Sequence, residues 1–124
     1  MPNRKLLISI VDDDEPMREA VKGLMKSLGY RVEVAASAEE FLRSPYVRRT
    51  SCLIADVQMP GMTGLDLHCH LSASGKGIPT VLITAYPDDS VRERALAAGV
   101  IGYLSKPFDE TDLLACIRSA LTRP

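Results

Sequence analysis

A long apolar run, a pairable set of cysteines and an excess of charge are all missing from this 124-residue sequence. The longest apolar runs, such as Leu6 to Val11, extend over about six residues, far short of the roughly 20 that cross a bilayer. No membrane span is expected. The basic start, Met1 to Lys5, leads into an apolar stretch that ends on three aspartates with no small-residue cleavage site, so no signal peptide is expected either. Cys52, Cys69 and Cys116 are odd in number and widely spaced, which suits neither a disulfide framework nor a zinc site. They read as reduced core thiols of a cytoplasmic protein. Fifteen basic residues against sixteen acidic ones leave a formal charge of -1, so no field marks the chain as a binder of nucleic acid or membrane surface.

What is present is a length, 124 residues, and a composition, 46% hydrophobic and 25% charged, suited to one globular domain around one core. Leu- and Val-rich runs at Leu6 to Val11, Val32 to Ala35, Cys52 to Ala55, Thr80 to Thr84 and Val100 to Leu104 read as five strands. Helical spacing links Met17, Val21, Leu24 and Leu28, then Val91, Ala95 and Ala98, then Leu113, Ile117 and Leu121. Shorter helices are predicted over Ala38 to Leu42, capped by Ser37, and over Leu65 to Leu71. Strand alternating with helix along the chain specifies an α/β fold, a parallel sheet covered on both faces. The continuous apolar runs Leu6-Leu7-Ile8 and Val81-Leu82-Ile83 fit strands buried on both sides. Gly29, Gly64, Pro79 and Gly99 punctuate the elements, and Ser72 to Gly77 reads as a surface loop. No repeat, linker or low-complexity segment interrupts the pattern.

Open parallel sheets bind ligands beyond the carboxyl ends of their strands. The polar residues fall there. Asp12, Asp13 and Asp14 follow the first strand, Asp56 closes the third, Thr84 closes the fourth, and Lys106 and Pro107 follow the fifth. Carboxylates gathered at one edge repel one another unless a cation joins them, and Mg2+, a hard ion that takes oxygen ligands, suits such a set. A divalent ion, an ammonium and a hydroxyl together can hold a phosphoryl group. Asp56, alone at the end of a buried strand before the Pro60-Gly61 turn, is the candidate nucleophile.

The segments Ile10 to Asp14, Ala55 to Gly64, Leu82 to Ala85 and Gly102 to Phe108 resemble, in order and across nearly the whole chain, the signature segments of the response regulator receiver family of two-component systems. The resemblance implies a flavodoxin-like (βα)5 doubly wound sheet of order 2-1-3-4-5, with residues 1–124 forming one receiver domain. It implies that Asp56 is the phosphoacceptor and that Mg2+ is held by Asp13, Asp56 and the backbone carbonyl of Gln58, with Asp12 acting through bound water. Lys106 and Thr84 would contact phosphoryl oxygens, and the bond before Pro107 would be cis. Thr84 and Tyr103 would form the switch, altering the surface of the fourth helix, fifth strand and fifth helix. Gln58 and Tyr86 stand at positions that tune phosphoryl lifetime, with Tyr86 expected to shield the acyl phosphate. The implied partners are a sensor histidine kinase, an output domain or partner protein and, through the switching surface, a second copy. The implied activity is self-catalysed phosphorylation and slow dephosphorylation, without turnover of a separate substrate. The stretch Ser37 to Leu42 is also similar to receivers attached to helix-turn-helix transcription factors of the nitrogen-fixation regulator type.

Each residue also has a plainer reading. Asp14, before the helix expected to begin near Glu15 and Pro16, reads as no more than a helix cap. Asp56, Thr84 and Lys106, taken singly, are a turn residue, a strand-end hydroxyl and a solvated charge, and Tyr103 is a packing aromatic. Their joint placement favours the site. His68 and His70, two apart on a helix, point to different faces and read as surface histidines. Ser74-Gly75-Lys76-Gly77 lacks the spacing of a phosphate loop and reads as a turn, and Arg48-Arg49 as a solvated pair. Two other functions compete. A Mg2+-dependent phosphohydrolase would carry a second aspartate where Gln58 stands, and an interaction domain that had lost the switch would not need the set Asp12, Asp13, Asp56, Thr84 and Lys106.

Overall fold

The computed structural model describes residues 6–122. The amino-terminal stretch weighed as a signal peptide, residues 1–5, lies outside the described residues, as do residues 123 and 124. Five strands, β1 (Leu7–Val11), β2 (Arg31–Ala35), β3 (Cys52–Asp56), β4 (Thr80–Thr84) and β5 (Gly102–Ser105), alternate with α1 (Glu15–Ser27), α2 (Ala38–Arg43), α3 (Gly64–Ala73), α4 (Asp89–Ala97) and α5 (Glu110–Leu121). A short 3-10 turn over Val47–Arg49 precedes β3. All pairings are parallel, and the strand order is 2-1-3-4-5. The order reverses between β1 and β3, which are neighbours in the sheet.

The apolar runs divide between two cores because successive side chains of a strand face opposite sides of the sheet. Ile8, Ile10, Ile54, Val81 and Ile83 meet Val21 and Met25 of α1 and Leu113 and Ile117 of α5. Leu53, Ala55 and Leu82 face Phe41 of α2, Leu67 and Leu71 of α3 and Ala95 of α4. With both faces covered, β1, β3 and β4 are buried along their whole length. Each leucine or isoleucine so placed stabilises the fold by about 1.5–3 kcal/mol. Edge strand β2 accordingly tolerates Arg31 and Glu33.

The predicted elements shift where helix ends claim residues. Val100 is not strand: its N–H donates to the carbonyl of Ala95, closing α4 around Gly99, whose φ of +93° only glycine adopts freely, and β5 begins two residues later. In the same way Leu28 and Ala98 leave their predicted stripes to become C-cap residues, and Met25, fully buried, carries the inward face of α1. Helix α3 runs through Ala73, so the first two residues of the predicted Ser72 to Gly77 loop are helical. Cys52 is a buried thiol pushed up to about 12 by desolvation and then by Cys116, whereas Cys69 is exposed and not a core residue. No described helix is long and apolar enough to cross a membrane.

Candidate functional site

Strands β1, β3, β4 and β5 bring the polar groups of the site to the carboxyl edge. The N–H of Asp12 donates to the Ala35 carbonyl at 3.1 Å, extending the β1 to β2 pairing by one residue and fixing where the Asp12 carboxylate emerges. Its Oδ1 accepts from the Asp14 N–H at 2.9 Å, and its own carbonyl accepts from Arg18 Nη1 at 2.8 Å. Asp14 caps α1, its side chain accepting from the Met17 N–H. Asp56 is the last residue of β3, and Oδ1 accepts from the Gln58 N–H at 3.2 Å. A Cβ at Gly64 would lie 2.4 Å from the Asp56 carbonyl oxygen. Only glycine therefore lets α3 start this close behind the carboxylate.

Asp12 and Asp56 are buried, Asp13 is exposed, and one carboxylate oxygen from each of the three lies within 4.8 Å of the others. Lys106 extends the β4 to β5 pairing, its N–H donating to the Thr84 carbonyl at 2.7 Å, and Nζ donates to Asp12 Oδ2 at 3.1 Å and Asp56 Oδ2 at 3.3 Å. The Lys106–Pro107 peptide bond is cis. Burial, then the charge and hydrogen bond of Asp12, raise the Asp56 carboxyl from 3.8 to about 6 against the opposing pull of Lys106. For Lys106 burial works downward, but the hydrogen bonds and charges of Asp12 and Asp56 outweigh it and the ammonium is held above its ordinary value. Three carboxylates against one ammonium leave a surplus of two negative charges when all are ionised, which is the complement of one divalent cation.

The remaining predicted residues surround this cluster. Thr84 is fully buried at the end of β4; its Oγ1 accepts from the Tyr86 N–H at 2.9 Å and donates to Gln58 Oε1. Tyr103, partly buried, accepts at its hydroxyl from the Asp88 N–H, 3.2 Å away at the start of α4. Tyr86, expected to shield the site, is 72% exposed and projects mostly into solvent.

His68 is not a surface histidine. It is buried, Nε2 donates to the Ala98 carbonyl at 2.9 Å, and Nδ1 shares a 2.8 Å hydrogen bond with Thr80 Oγ1, while His70 is exposed as expected. Sequence reasoning also missed Glu39, whose Oε2 accepts from the Met62 N–H at 3.0 Å and lies where a Cβ on Gly61, φ +79°, would intrude. Hydrogen bonds from its own backbone and that of Met62 hold its carboxyl below the usual range. A first-turn glutamate signals only a helix start, so nothing in the sequence marked it. The bond between the Gln58 side chain and Thr84 joins residues 26 apart, and nothing in the sequence marks it.

Comparison with known proteins places this geometry in a family. Residues 8–118 match the family described as the response regulator receiver domain. The chain is 41% identical over 121 residues to the response regulator protein TmoT of Ectopseudomonas mendocina, covering 98% of this chain and 55% of that protein. It is 33% identical over 113 residues to the transcriptional regulatory protein FixJ of Rhizobium meliloti, covering 91% and 55%. Among solved structures, it superposes on the response regulator StyR with a TM-score of 0.87 at 41% identity, covering 95% of this chain and 60% of that one. It superposes on FixJ-N with a TM-score of 0.86 at 32% identity, covering 98% and 97%. The chain spans about half the length of the curated relatives it matches.

Proposed function

The chain belongs to the response regulator receiver domain family, and from that membership we propose that Asp56 accepts a phosphoryl group, with Mg2+, from a partner histidine kinase or a small acyl phosphate. The observation that carries this reading is the convergence of Asp12, Asp13 and Asp56 with the Lys106 ammonium at one strand edge. A carboxylate oxygen of Asp56 attacks phosphorus as the bond to the donor's imidazole nitrogen, or to acetate, breaks in line. Lys106 neutralises one phosphoryl oxygen and the Thr84 hydroxyl donates to another. Asp13, Asp56 and the Gln58 carbonyl are the groups we assign to Mg2+, with Asp12 reached through water. The bound ion supplies positive charge that favours the ionised Asp56 and offsets charge on the phosphoryl oxygens.

As Thr84 shifts toward the new dianion, Tyr103 exchanges its tie to α4 for a more buried position, and the surface of α4, β5 and α5 changes. That surface would meet an output domain, a partner protein or a second copy. Because the relatives are named as response and transcriptional regulators, we assign residues 1–124 as a cytoplasmic phosphoacceptor unit that controls such an output. It would catalyse its own phosphorylation and slow dephosphorylation and turn over no separate substrate, with Gln58 and Tyr86 tuning the lifetime of the acyl phosphate.

Incubation with acetyl phosphate and Mg2+ tests this directly. One phosphoryl mass should be added per chain and should be absent in Asp56→Asn. Steady release of phosphate from many small esters would instead identify a phosphohydrolase, and no mass gain together with no response to beryllofluoride would identify an interaction domain without a switch.

A further inference from the structure

The hydroxyl of Thr84 has one proton and a fully buried position, and both facts restrict what it can do. An unpartnered buried hydroxyl costs more than its hydrogen bond is worth, so Thr84 must always donate to something. Its oxygen already accepts from the Tyr86 N–H at 2.9 Å, and its proton goes to Gln58 Oε1. With the hydroxyl oxygen already accepting, its proton needs an acceptor, and the Gln58 carboxamide presents its oxygen to Thr84. Among the described residues the Thr84 side chain makes no other hydrogen bond, and none to Asp56. Gln58, in contrast, is exposed, so water replaces Thr84 at its carbonyl when the contact opens. One partner of the bond is therefore bound to find a substitute, and the other finds one at little cost.

A phosphoryl group on Asp56 offers acceptors only, so it needs the same proton. We propose that the Gln58 side chain is a resting-state latch, holding the Thr84 hydroxyl in a competition that the phosphoryl group must win before the switch moves. The inference rests on the phosphoacceptor reading above and adds to it what opposes activation. It makes Gln58 a positioning residue, acting through Thr84. Since the Tyr86 N–H depends on the same hydroxyl oxygen, release of the latch is also felt at the start of the loop between β4 and α4.

Gln58→Met keeps chain length and exposure and removes the acceptor. Titration with beryllofluoride in the presence of Mg2+, followed by the NMR signal of the Tyr86 amide, reads the latch directly. The net worth of one neutral hydrogen bond predicts an apparent affinity tighter by about threefold to tenfold in Gln58→Met. The Tyr86 signal should shift even before ligand is added. In a Thr84→Ala background the same Gln58 change should have no effect on affinity. Unchanged or weaker affinity in Gln58→Met overturns the latch, as does a gain that persists without the Thr84 hydroxyl. Failure of the unsubstituted protein to bind beryllofluoride at all would overturn the phosphoacceptor reading itself, and the latch with it.

Discussion

Strand β4 starts and ends on a threonine, Thr80 and Thr84, both fully buried, and their hydroxyls are held in opposite ways. Thr80 lies between the Ile78 carbonyl at 2.8 Å and His68, which is itself anchored on the Ala98 carbonyl. Both outer partners are backbone, and the cluster carries no pair of opposed charges. Thr84 lies between a loop N–H and an exposed amide, beside carboxylates in excess over their one ammonium. The first cluster joins α3, β4 and the end of α4 and has nothing left to bind. The second carries carboxylate charge that its one ammonium does not balance. Burial of polar groups does not separate structure from function here; the surplus charge and the replaceable partner do.

Four substitutions sharpen or break that contrast. The largest effect is expected of Asp13→Ala, which should lose Mg2+ binding in a calorimetric titration while His68→Leu leaves it unchanged; unaltered affinity in Asp13→Ala would make the ligand set wrong. Next, His68→Leu should lower stability by about 1–3 kcal/mol in urea unfolding, by removing both hydrogen bonds of the buried imidazole and leaving the Thr80 hydroxyl with the Ile78 carbonyl alone, without changing the phosphoryl mass gained from acetyl phosphate. A neutral result in the unfolding curve would mean that this end of β4 is not held as described.

The third effect follows pH. The Asp56 carboxyl stands at about 6 in the fold against an ordinary 3.8. Between these values the folded chain keeps a proton that the unfolded chain has lost, so metal-free protein should lose stability as pH rises from about 4 to about 6. Asp56→Asn should lack that slope and be more stable at neutral pH by on the order of 1–2 kcal/mol, measured in chelator. Parallel pH profiles for the two proteins would contradict the assignment. Lys106, raised by the same pairings, adds stability that is lost only as pH climbs through its own elevated value. The smallest change belongs to Thr84→Val, about 0.5–1 kcal/mol, because Gln58 is rehydrated. A loss as large as that of His68→Leu would erase the difference between the two threonines.

The acidic site was legible because its residues sit at strand ends, and a parallel sheet sends all such ends to one edge. Leu7–Val11 and Thr80–Thr84 read as strands from their unbroken apolar character, and the aspartates and threonine that follow or close them needed no tertiary knowledge to be grouped. His68 was misread for the opposite reason. Its burial depends on Thr80 and Ala98, 12 and 30 residues away, and a polar residue goes inside only when such partners exist. The Gln58 contact with Thr84 and the reach of Glu39 to the Met62 N–H are likewise bonds that a side chain makes across elements. Helix ends were misplaced at Leu28, Ala98 and Val100, since apolar residues that close a helix look like residues that continue a stripe or start a strand.

The two loops that wall the acidic pocket are tethered unequally. After β3 the chain is fastened at Met62 by Glu39 and at Gly64 by the Val57 carbonyl, with the glycine packed against Asp56 too tightly to slide. After β4, among the described residues, the N–H groups of Tyr86 and Asp88 donate to the hydroxyls of Thr84 and Tyr103, each of which turns with its side chain. One wall of the pocket is masonry and the other is hung on two pivots, so pressure from a newly seated anion has a single direction in which to be relieved.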